Sequence, residues 1–409
     1  MLIKFNFKNF KSFKDENCLD MEATNIKEHE YNTININNKE YLKIAAIYGA
    51  NASGKTNVLE AFKYMQKTLM VNDDTNIKND EKDNYYNFCF DEKSKEEPIE
   101  LEVTFLAKNK IIYQYGFKIK NKEIISEWLY YKKVNKFIKI FERNNNIVTF
   151  NKSYSIKTGN NYNVDSKSIF LTLYRKIEKE NEDFKNVYDW FLNSFYLDLG
   201  NPYLEEFMSS TISNKIVSDE EARKRLVTFI KVFDLGIDDI EISRKDIKNI
   251  NDTLESKIKI NSIHKDKNNK KFSLPFRLES KGTLKMFYLY NFILNALENG
   301  SVLFVDELDA KLHPLLTRYI INLFHNNEKN IGNGQLIYST HDTTNLNKET
   351  FRRDEIWFAE KNDYGVSELF SLSDYKIDNE KIRNDATYNK DYLTGRYGAI
   401  PVLKDFNII

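Results

Sequence analysis

One stretch near the start of the chain restricts the possible folds more than any other: "IYGANASGKTNVLEAF" at residues 47–62. Gly49, Gly54, Lys55 and Thr56 fit the pattern G-x-x-x-x-G-K-[ST]. The apolar, β-prone run "YLKIAAIY" comes before it, and apolar residues recur at helical spacing after it. Strand, glycine loop and helix in this order surround phosphate oxygens with backbone N–H groups. The sequence therefore predicts a nucleoside triphosphate site, and the alternative is an ordinary glycine turn.

Residues 49–57, called the phosphate loop from here on, contain two side chains with distinct expected roles. The Lys55 amine is expected to reach the β and γ phosphates, and the Thr56 hydroxyl is expected to bind Mg²⁺. The candidate nucleotide-contacting residues of the loop are Gly49, Asn51, Ser53, Gly54, Lys55, Thr56 and Asn57.

The segment "SVLFVDELDAKLHP" at residues 301–314 supplies the next candidate groups. Its apolar run predicts a buried strand that ends in Asp306 and Glu307. Two adjacent carboxylates at such a strand end repel each other and lose solvation, which is costly unless they have a function. We expect Asp306 to bind Mg²⁺ and Glu307 to act as a general base toward water, the alternative being an exposed acidic turn. His313 in "KLHP" is expected to cap or pack a turn.

Polar residues also stand at a second strand end and at a helix start. The apolar run in "QLIYSTHD", residues 335–342, ends near His341. Because open α/β sheets bind ligands at strand ends, we expect His341 to sense or polarise the γ phosphate and the attacking water, the alternative being a structural histidine. In "LESKGTLKMFYLYNFILNAL", residues 278–297, Ser280 and Gly282 open a long apolar helix. Helix N-termini bind anions, although serine and glycine also serve as ordinary caps.

The order of these motifs carries a resemblance. Phosphate loop "GANASGKT", signature "LESKGT", acidic strand "VLFVDE", loop "LDAKLHP" and switch "STHD" resemble the ATP-binding-cassette (ABC) ATPases of the SMC and RecF-like branch. More narrowly, the chain resembles the AAA-type (AAA_21) ATPases of prokaryotic abortive-infection and phage-defence systems, including its ends "IKFNFKNFKSFKD" and "YLTGRYGAIPVL". The resemblance implies an α/β fold: an ABC-type P-loop ATPase head with a mixed central sheet, an antiparallel layer and a helical insertion.

The resemblance also implies roles for particular residues, with ATP as the nucleotide. Ser280 and Gly282 match the signature residues that bind the γ phosphate held by the other subunit, so ATP would join two copies head to tail, as a homodimer or a higher homo-oligomer. Asp309 matches the loop that crosses the dimer interface. Lys11 is similar to a basic residue that contacts phosphate, and a solvated strand charge is the alternative.

The signature and one further motif depart from the family pattern. Lys281 stands where glycine is usual, and Thr283 where glutamine is common. The glutamine that normally links the nucleotide to the helical lobe has no clear counterpart. Gln66, in the helix after the phosphate loop, and Gln114, in "IIYQYGF", are the two candidates.

Three segments are predicted along the chain. Residues 1–150 form ATPase lobe I, with the phosphate loop and antiparallel strands, and the polar stretch 72–86 within them is expected to be a loop. Residues 151–265 show helical spacing without sustained heptads, which predicts a compact, mainly helical insertion. Residues 266–409 form lobe II, with the signature, the acidic strand, the histidine switch and a C-terminal tail. The "TGRYGAIP" of this tail is expected to dock on the core, and a partner surface is the alternative.

Composition and residue spacing argue against several classes of protein. Sixty-one basic and 61 acidic residues cancel, so DNA binding would need a local basic patch. Cys18 and Cys89 lack disulfide or zinc spacing, and Asp238, Asp239 and Glu241 are interpreted as a solvated turn leading into a strand rather than a metal site. No apolar run approaches the roughly 20 residues that cross a bilayer, and no signal-peptide block is present, so a cytoplasmic protein without a membrane partner is expected.

The function expected from these motifs is ATP hydrolysis that controls a separate effector protein, such as a nuclease, in abortive-infection defence against phage. The family resemblance supports the defence role, and no effector domain is recognisable after His341. The alternative is a RecF- or SMC-like ATPase of DNA repair or maintenance that binds DNA. A transporter's nucleotide-binding subunit is a third interpretation, which the large insertion and "KTN" in the phosphate loop disfavour.

Overall fold

The structure is a computed structural model of the 409-residue chain. It describes residues 1–70, 86–151, 161–177, 181–201, 216, 219–234, 236–248, 254–377, 380–381 and 387–401. The polar stretch predicted as a loop at 72–86 therefore lies outside the described residues, except for its last residue.

A six-stranded sheet forms the centre of the molecule. Its strands are, in spatial order, β12 (Ser194–Asp198), β16 (Val302–Asp306), β17 (Gln335–Ser339), β5 (Ile44–Tyr48), β18 (Ile356–Lys361) and β19 (Ser367–Ser371). The first five are parallel, and β19 is antiparallel to β18. Strands β16, β17 and β5 are buried along their whole length, which explains their continuous apolar sequences.

An eight-stranded antiparallel sheet forms a second layer, which confirms the predicted mixed α/β fold class. Its strands are, in spatial order, β11 (Asn161–Asn163), β10 (Ile147–Phe150), β9 (Lys136–Asn144), β8 (Glu123–Lys133), β7 (Ile112–Lys120), β6 (Ile99–Leu106), β1 (Leu2–Lys8) and β2 (Asn17–Asp20). Two small hairpins stand apart from both sheets: β3 (Thr33–Ile36) with β4 (Lys39–Leu42), and β20 (Lys376–Ile377) with β21 (Glu380–Lys381).

Helix α1 (Lys55–Met70) lies between the two sheets. Its Phe62 stacks on Phe304 of β16 with 3.9 Å between ring centroids and meets Phe5 of β1 edge-on at 5.8 Å. The helix that begins in the phosphate loop is thus fixed to both layers. Three further helices belong to the antiparallel side of the molecule: α2 (Glu92–Glu96), α3 (Phe170–Ile177) and α4 (Glu182–Leu192).

A second hydrophobic core covers the other face of the central sheet. Alternate residues of β5 face the two cores, Ala45 and Ile47 on the α1 side and Ala46 and Tyr48 on the other. The helices of this second core are α5 (Glu220–Lys231), α6 (Lys281–Asn299), α7 (Pro314–His325) and α8 (Tyr388–Leu393).

The expectation of a mainly helical segment at 151–265 is wrong for much of its described part. Strand β12 joins the central sheet, and β13 (Ile237–Lys248) and β14 (Leu254–Lys265) form a three-stranded sheet with β15 (Lys271–Pro275). The helical spacing holds only up to the end of α5, after which the sequence alternates with period two. Asp238 begins this sheet in ion pairs with Lys231 and Lys265, and no metal-binding group of three or more acidic, histidine or cysteine side chains occurs within the described ranges.

The C-terminal residues 387–401 dock on the second core, which was one of the two alternatives that the sequence left open for "TGRYGAIP". Tyr388, Tyr392 and Tyr397 are buried there, and the Tyr392 ring stacks on Phe358 of β18 at 5.3 Å. None of the helices in the described part of the chain has the length and apolar character needed to span a membrane.

Candidate nucleotide-binding site

The phosphate loop connects β5 to α1 and depends on two glycines. Gly49 has φ +153° and Gly54 has φ +116°, conformations that residues with a side chain rarely adopt. A Cβ at Gly49 would lie 2.3 Å from the Ala359 carbonyl oxygen, and one at Gly54 would lie 2.8 Å from Ser367 Oγ. Glycine is therefore required at both positions by backbone conformation and by space.

Lys55 is the first residue of α1, and its side chain is almost fully buried. Its amine donates hydrogen bonds to the carbonyl oxygens of Gly49, at 2.9 Å, and Ala50, at 2.8 Å. Burial lowers the pKa of Lys55 to about 8, although the charges of Asp306 and Glu307 oppose this shift. Because these acceptors are neutral oxygens, a phosphate group would be a stronger partner for the amine.

Asp306 ends strand β16 beside the start of α1. Its Oδ1 accepts hydrogen bonds from Thr56 Oγ1, at 3.1 Å, and from the Ser339 hydroxyl at the end of β17. Burial raises the pKa of this carboxyl group; the two hydrogen bonds oppose the shift, and the charges of Asp198 and Glu307 add to it. Thr56 and Asp306 thus bring two hard oxygen ligands together, a donor set that fits Mg²⁺.

Glu307 leaves strand β16 in a left-handed backbone conformation with φ +52°. Its N–H donates a hydrogen bond to Ser339 Oγ at 2.8 Å, which fixes the backbone in this conformation. The side chain reaches the end of β12, where its Oε2 lies against Gly200. A positive φ in a residue other than glycine or asparagine is costly, and the surrounding contacts must hold the backbone in it.

The histidine switch contacts the loop that follows β16. Both carboxylate oxygens of Asp309 accept hydrogen bonds from the His341 N–H, at 3.3 Å each. Burial lowers the pKa of His341, and the nearby charge of Lys55 lowers it further. The neutral imidazole therefore predominates at neutral pH, close to the lysine of the phosphate loop.

Ser280 caps helix α6, because its Oγ accepts a hydrogen bond from the Thr283 N–H at 3.1 Å. The Thr283 hydroxyl donates to Asp234 Oδ2 at 2.8 Å and so ties the helix start to the turn after α5. Ser280 is exposed and Gly282 is partly exposed. Among the residues that the structure describes, no hydrogen bond or ion pair joins either of them to the phosphate loop.

Lys285 links the signature helix to the loop after β16, a contact that the sequence analysis does not include. Its buried amine donates a hydrogen bond to the Ala310 carbonyl oxygen. Burial lowers the pKa of Lys285 to about 8, and Lys311 lowers it further, against the charges of Asp309 and Glu307. A lysine on an apolar helix face gives no sequence signal for such a contact.

The remaining predicted residues of the phosphate loop differ in their surroundings. The Asn57 amide donates a hydrogen bond to Ser12 Oγ at 2.7 Å, and Asn51 is exposed. Ser53 Oγ is buried without a hydrogen-bond partner in the described part of the chain. An orphaned hydroxyl in a glycine loop fits an oxyanion ligand.

The four other candidates have structural roles. Lys11 forms an ion pair with Glu60 of α1, a partner that neither sequence interpretation included. The Gln66 amide donates to two backbone carbonyl groups at the junction of α4 and β12, and Gln114 lies in β7 opposite Thr104 of β6. His313 caps α7 through Nδ1, as predicted.

Asp198 is a site residue that the sequence analysis missed. It ends β12 in register with Asp306 of β16, so two carboxylates stand side by side at the same edge of the sheet. The signal was available in "SFYLD", a mostly apolar run that ends in a carboxylate, as "VLFVD" does. It was overlooked because the run lies in a segment interpreted as helical.

A phosphate loop between a buried parallel strand and a helix, with carboxylates at the end of the neighbouring strand, defines a P-loop nucleotide-binding protein. The chain belongs to the family described as "AAA domain, putative AbiEii toxin, Type IV TA system", which matches residues 44–347. This range runs from β5 through the signature to the histidine switch, and it confirms the family resemblance found in the sequence.

Solved structures show weaker similarity. An SMC head bound to the C-terminal winged-helix domain of ScpA is 14% identical, with 90% of this chain and 97% of that chain covered and a TM-score of 0.45. The recombination mediator RecF with ATP is 14% identical, with 90% and 97% covered and a TM-score of 0.39. No match was found among curated proteins.

Proposed function

We propose that the chain is a magnesium-dependent ATPase that hydrolyses ATP between two subunits. The observation that carries this proposal is the 3.1 Å contact between Thr56 Oγ1 and Asp306 Oδ1, next to the phosphate loop and with Glu307 as the following residue. Oxygen ligands for Mg²⁺, donors for phosphate and a carboxylate base thus converge at one edge of the sheet.

Lys55 and the loop backbone hold the phosphates in this proposal. When ATP binds, the Lys55 amine exchanges two carbonyl acceptors for phosphate oxygens, which are charged and accept stronger hydrogen bonds. The N-terminus of α1 adds its dipole to the same site. Phosphate charge also favours the protonated amine, against the burial that lowers its pKa.

Glu307 acts as the general base in this proposal and takes a proton from the attacking water. Mg²⁺, held by Thr56 and Asp306, would neutralise charge on the phosphates when it is bound. The hydrogen bond from the Glu307 N–H to Ser339 fixes the position of the base relative to Asp306, because both residues share the Ser339 hydroxyl.

The second subunit supplies the signature in this proposal. Ser280 and Gly282 stand at an accessible helix N-terminus and are not bonded to the phosphate loop of their own chain within the described residues. A two-fold pairing would place each signature on the partner's phosphate loop and form two equivalent sites. ATP then favours the closed pair, and hydrolysis releases it.

The biological role that we propose is control of a separate toxic effector in defence against phage. The family description, which includes a toxin and a type IV toxin–antitoxin system, supports this choice. Infection assays test it: protection should be lost in Lys55→Ala, and intact protection in that variant would contradict the role.

ATP turnover with and without duplex DNA separates this proposal from DNA maintenance. We expect turnover that DNA does not change, with Glu307→Gln as the blank. Strong stimulation by DNA would favour the RecF- or SMC-like alternative, and wild-type turnover no higher than the blank would contradict ATPase activity.

A further inference from the structure

The turn that follows β12, residues 198–201, is held tightly beside the acidic strand. The Leu199 N–H donates to the Asp306 carbonyl oxygen at 3.0 Å, which continues the pairing of the two strands. Asp198 Oδ1 accepts hydrogen bonds from the N–H groups of Gly200, at 3.0 Å, and Asn201, at 3.1 Å. The backbone of this turn is therefore fixed relative to Asp306.

Gly200, in the middle of this turn, lies against the carboxylate of Glu307. A Cβ at Gly200 would lie 2.5 Å from Glu307 Oε2, 3.1 Å from its Cδ and 3.4 Å from Asp198 Oδ1. The backbone of Gly200 is outside the left-handed region, so its conformation does not require glycine. Position 200 requires a residue without a side chain because the Glu307 carboxylate occupies the space that a side chain would take.

We propose that Gly200 is a positioning residue for Glu307. The backbone of Glu307 is held by Ser339, and the turn at Gly200 is held by Asp198. The Glu307 carboxylate lies between these two fixed points. Because glycine has no side chain, the carboxylate can occupy the space next to position 200. This inference rests on the proposed function, in which Glu307 activates water.

Comparison with other glycines near the central sheet shows why a substitution of Gly200 should affect catalysis and not the fold. A Cβ at Gly334 would meet the backbone oxygen of Ala296 at 2.2 Å, and one at Gly300 would meet that of Gly332 at 2.3 Å, so the fold itself would have to move. At Gly200 the first atom met is the end of a flexible side chain. A methyl group there should displace the carboxylate and leave the fold in place.

The first test compares ATP binding, turnover and thermal unfolding of Gly200→Ala with those of the wild type. We expect an unchanged Kd for ATP, an unchanged Tm, and kcat lowered by about 10²-fold, the loss that a displacement of about 1 Å produces at a catalytic centre. Loss of folding in Gly200→Ala would overturn the inference, since the fold rather than the carboxylate would then bear the clash. Unchanged kcat would overturn it too.

A double-mutant cycle with Glu307→Ala tests whether the effect passes through Glu307. Once the carboxylate is absent, Gly200→Ala should cause no further loss of residual turnover. If the losses of turnover caused by the two single substitutions multiply in the double variant, the inference is overturned. If the wild type itself neither bound nor hydrolysed ATP, the proposed function would fail; if the wild type were active and Gly200→Ala equally so, the positioning role alone would fail.

Discussion

Both edges of the central sheet bury charged side chains, but the partners of these side chains differ between the two edges. At the amino-terminal edge, buried groups form complementary pairs: the Arg352 guanidinium donates to Asp354 at 2.8 Å, and the Glu355 carboxylate accepts from His325 Nε2 at 2.8 Å. Lys43 there donates to backbone and amide oxygens, including the His325 carbonyl oxygen at 2.8 Å. Each charge has partners within the chain.

At the carboxyl-terminal edge, like charges stand together. Asp198, Asp306 and Glu307 lie at neighbouring strand ends, while the cation of Lys55 is hydrogen-bonded to carbonyl oxygens. Such an arrangement costs stability and persists where ligands supply the missing partners. The comparison shows that buried charges at the amino-terminal edge are paired within the fold, and it supports the proposal that the carboxyl-terminal edge binds ATP.

The largest expected effect tests the chemical role of the carboxyl-terminal edge. Glu307→Gln removes the proposed base but keeps the shape of the side chain, so we expect kcat to fall on the order of 10²–10⁴-fold. ATP binding should remain, which equilibrium titration with a fluorescent ATP analogue checks. A variant with normal turnover would show that Glu307 is not the base.

Arg352→Leu tests the structural role of the amino-terminal edge. The change leaves Asp354 buried without its cation, and we expect the free energy of unfolding to fall by about 3–5 kcal/mol in urea. Lys4→Met, which breaks the half-exposed ion pair with Asp20, is the matched control and should cost at most about 1 kcal/mol. A similar cost for both variants would remove the contrast between a structural edge and the rest of the surface.

Lys55→Ala tests the role of the carboxyl-terminal edge in ATP binding. Loss of charge-assisted hydrogen bonds to phosphate should weaken ATP affinity by about 1.5–3 kcal/mol, or roughly 10- to 150-fold. Isothermal titration calorimetry measures this change. The free energy of unfolding without nucleotide should stay within about 1 kcal/mol of the wild type, because the substitution removes a donor whose acceptors are neutral carbonyl groups. Unchanged affinity would contradict the role of the loop.

Asp306→Asn should have a small effect on the free energy of unfolding, and it should raise this free energy, whereas Arg352→Leu lowers it. The amide keeps the oxygen that accepts from Thr56 and Ser339 but removes a charge near Asp198 and Glu307, so in EDTA we expect the free energy of unfolding to rise by about 1 kcal/mol. The stabilisation that Mg²⁺ and ATP together give the wild type should disappear. A destabilised variant that still responds to Mg²⁺ would contradict both parts of the comparison.

Local patterns predicted most of the carboxyl-terminal edge. Asp306 and His341 follow short apolar runs with polar ends, which specify a strand and its terminus without knowledge of the partners. Lys55 belongs to a glycine loop of fixed spacing. The helix cap at His313 follows from an equally local signal, whereas the sequence left docking of the C-terminal tail and a partner surface both open. Prediction of these elements required only the hydrophobic period of the sequence and the polar residues at the ends of each run.

The features that sequence missed depend on contacts between distant segments. Strand β12 is short, and only its pairing with β16 shows that Asp198 stands beside Asp306. The β13–β14 sheet was obscured by helical spacing that ends just before it. Gly200 and Lys285 have no pattern of their own, because their roles depend on what lies opposite them in space.

The most direct test of the central claim mixes two inactive variants. Lys55→Ala lacks the phosphate-loop cation, and Ser280→Arg blocks the signature, so each alone should have little ATP turnover. If sites form between subunits, a mixed pair contains one intact site, and the mixture should regain turnover well above the sum of its components. A mixture as inactive as its components, or full activity of Ser280→Arg alone, would contradict an ATPase that works between two subunits.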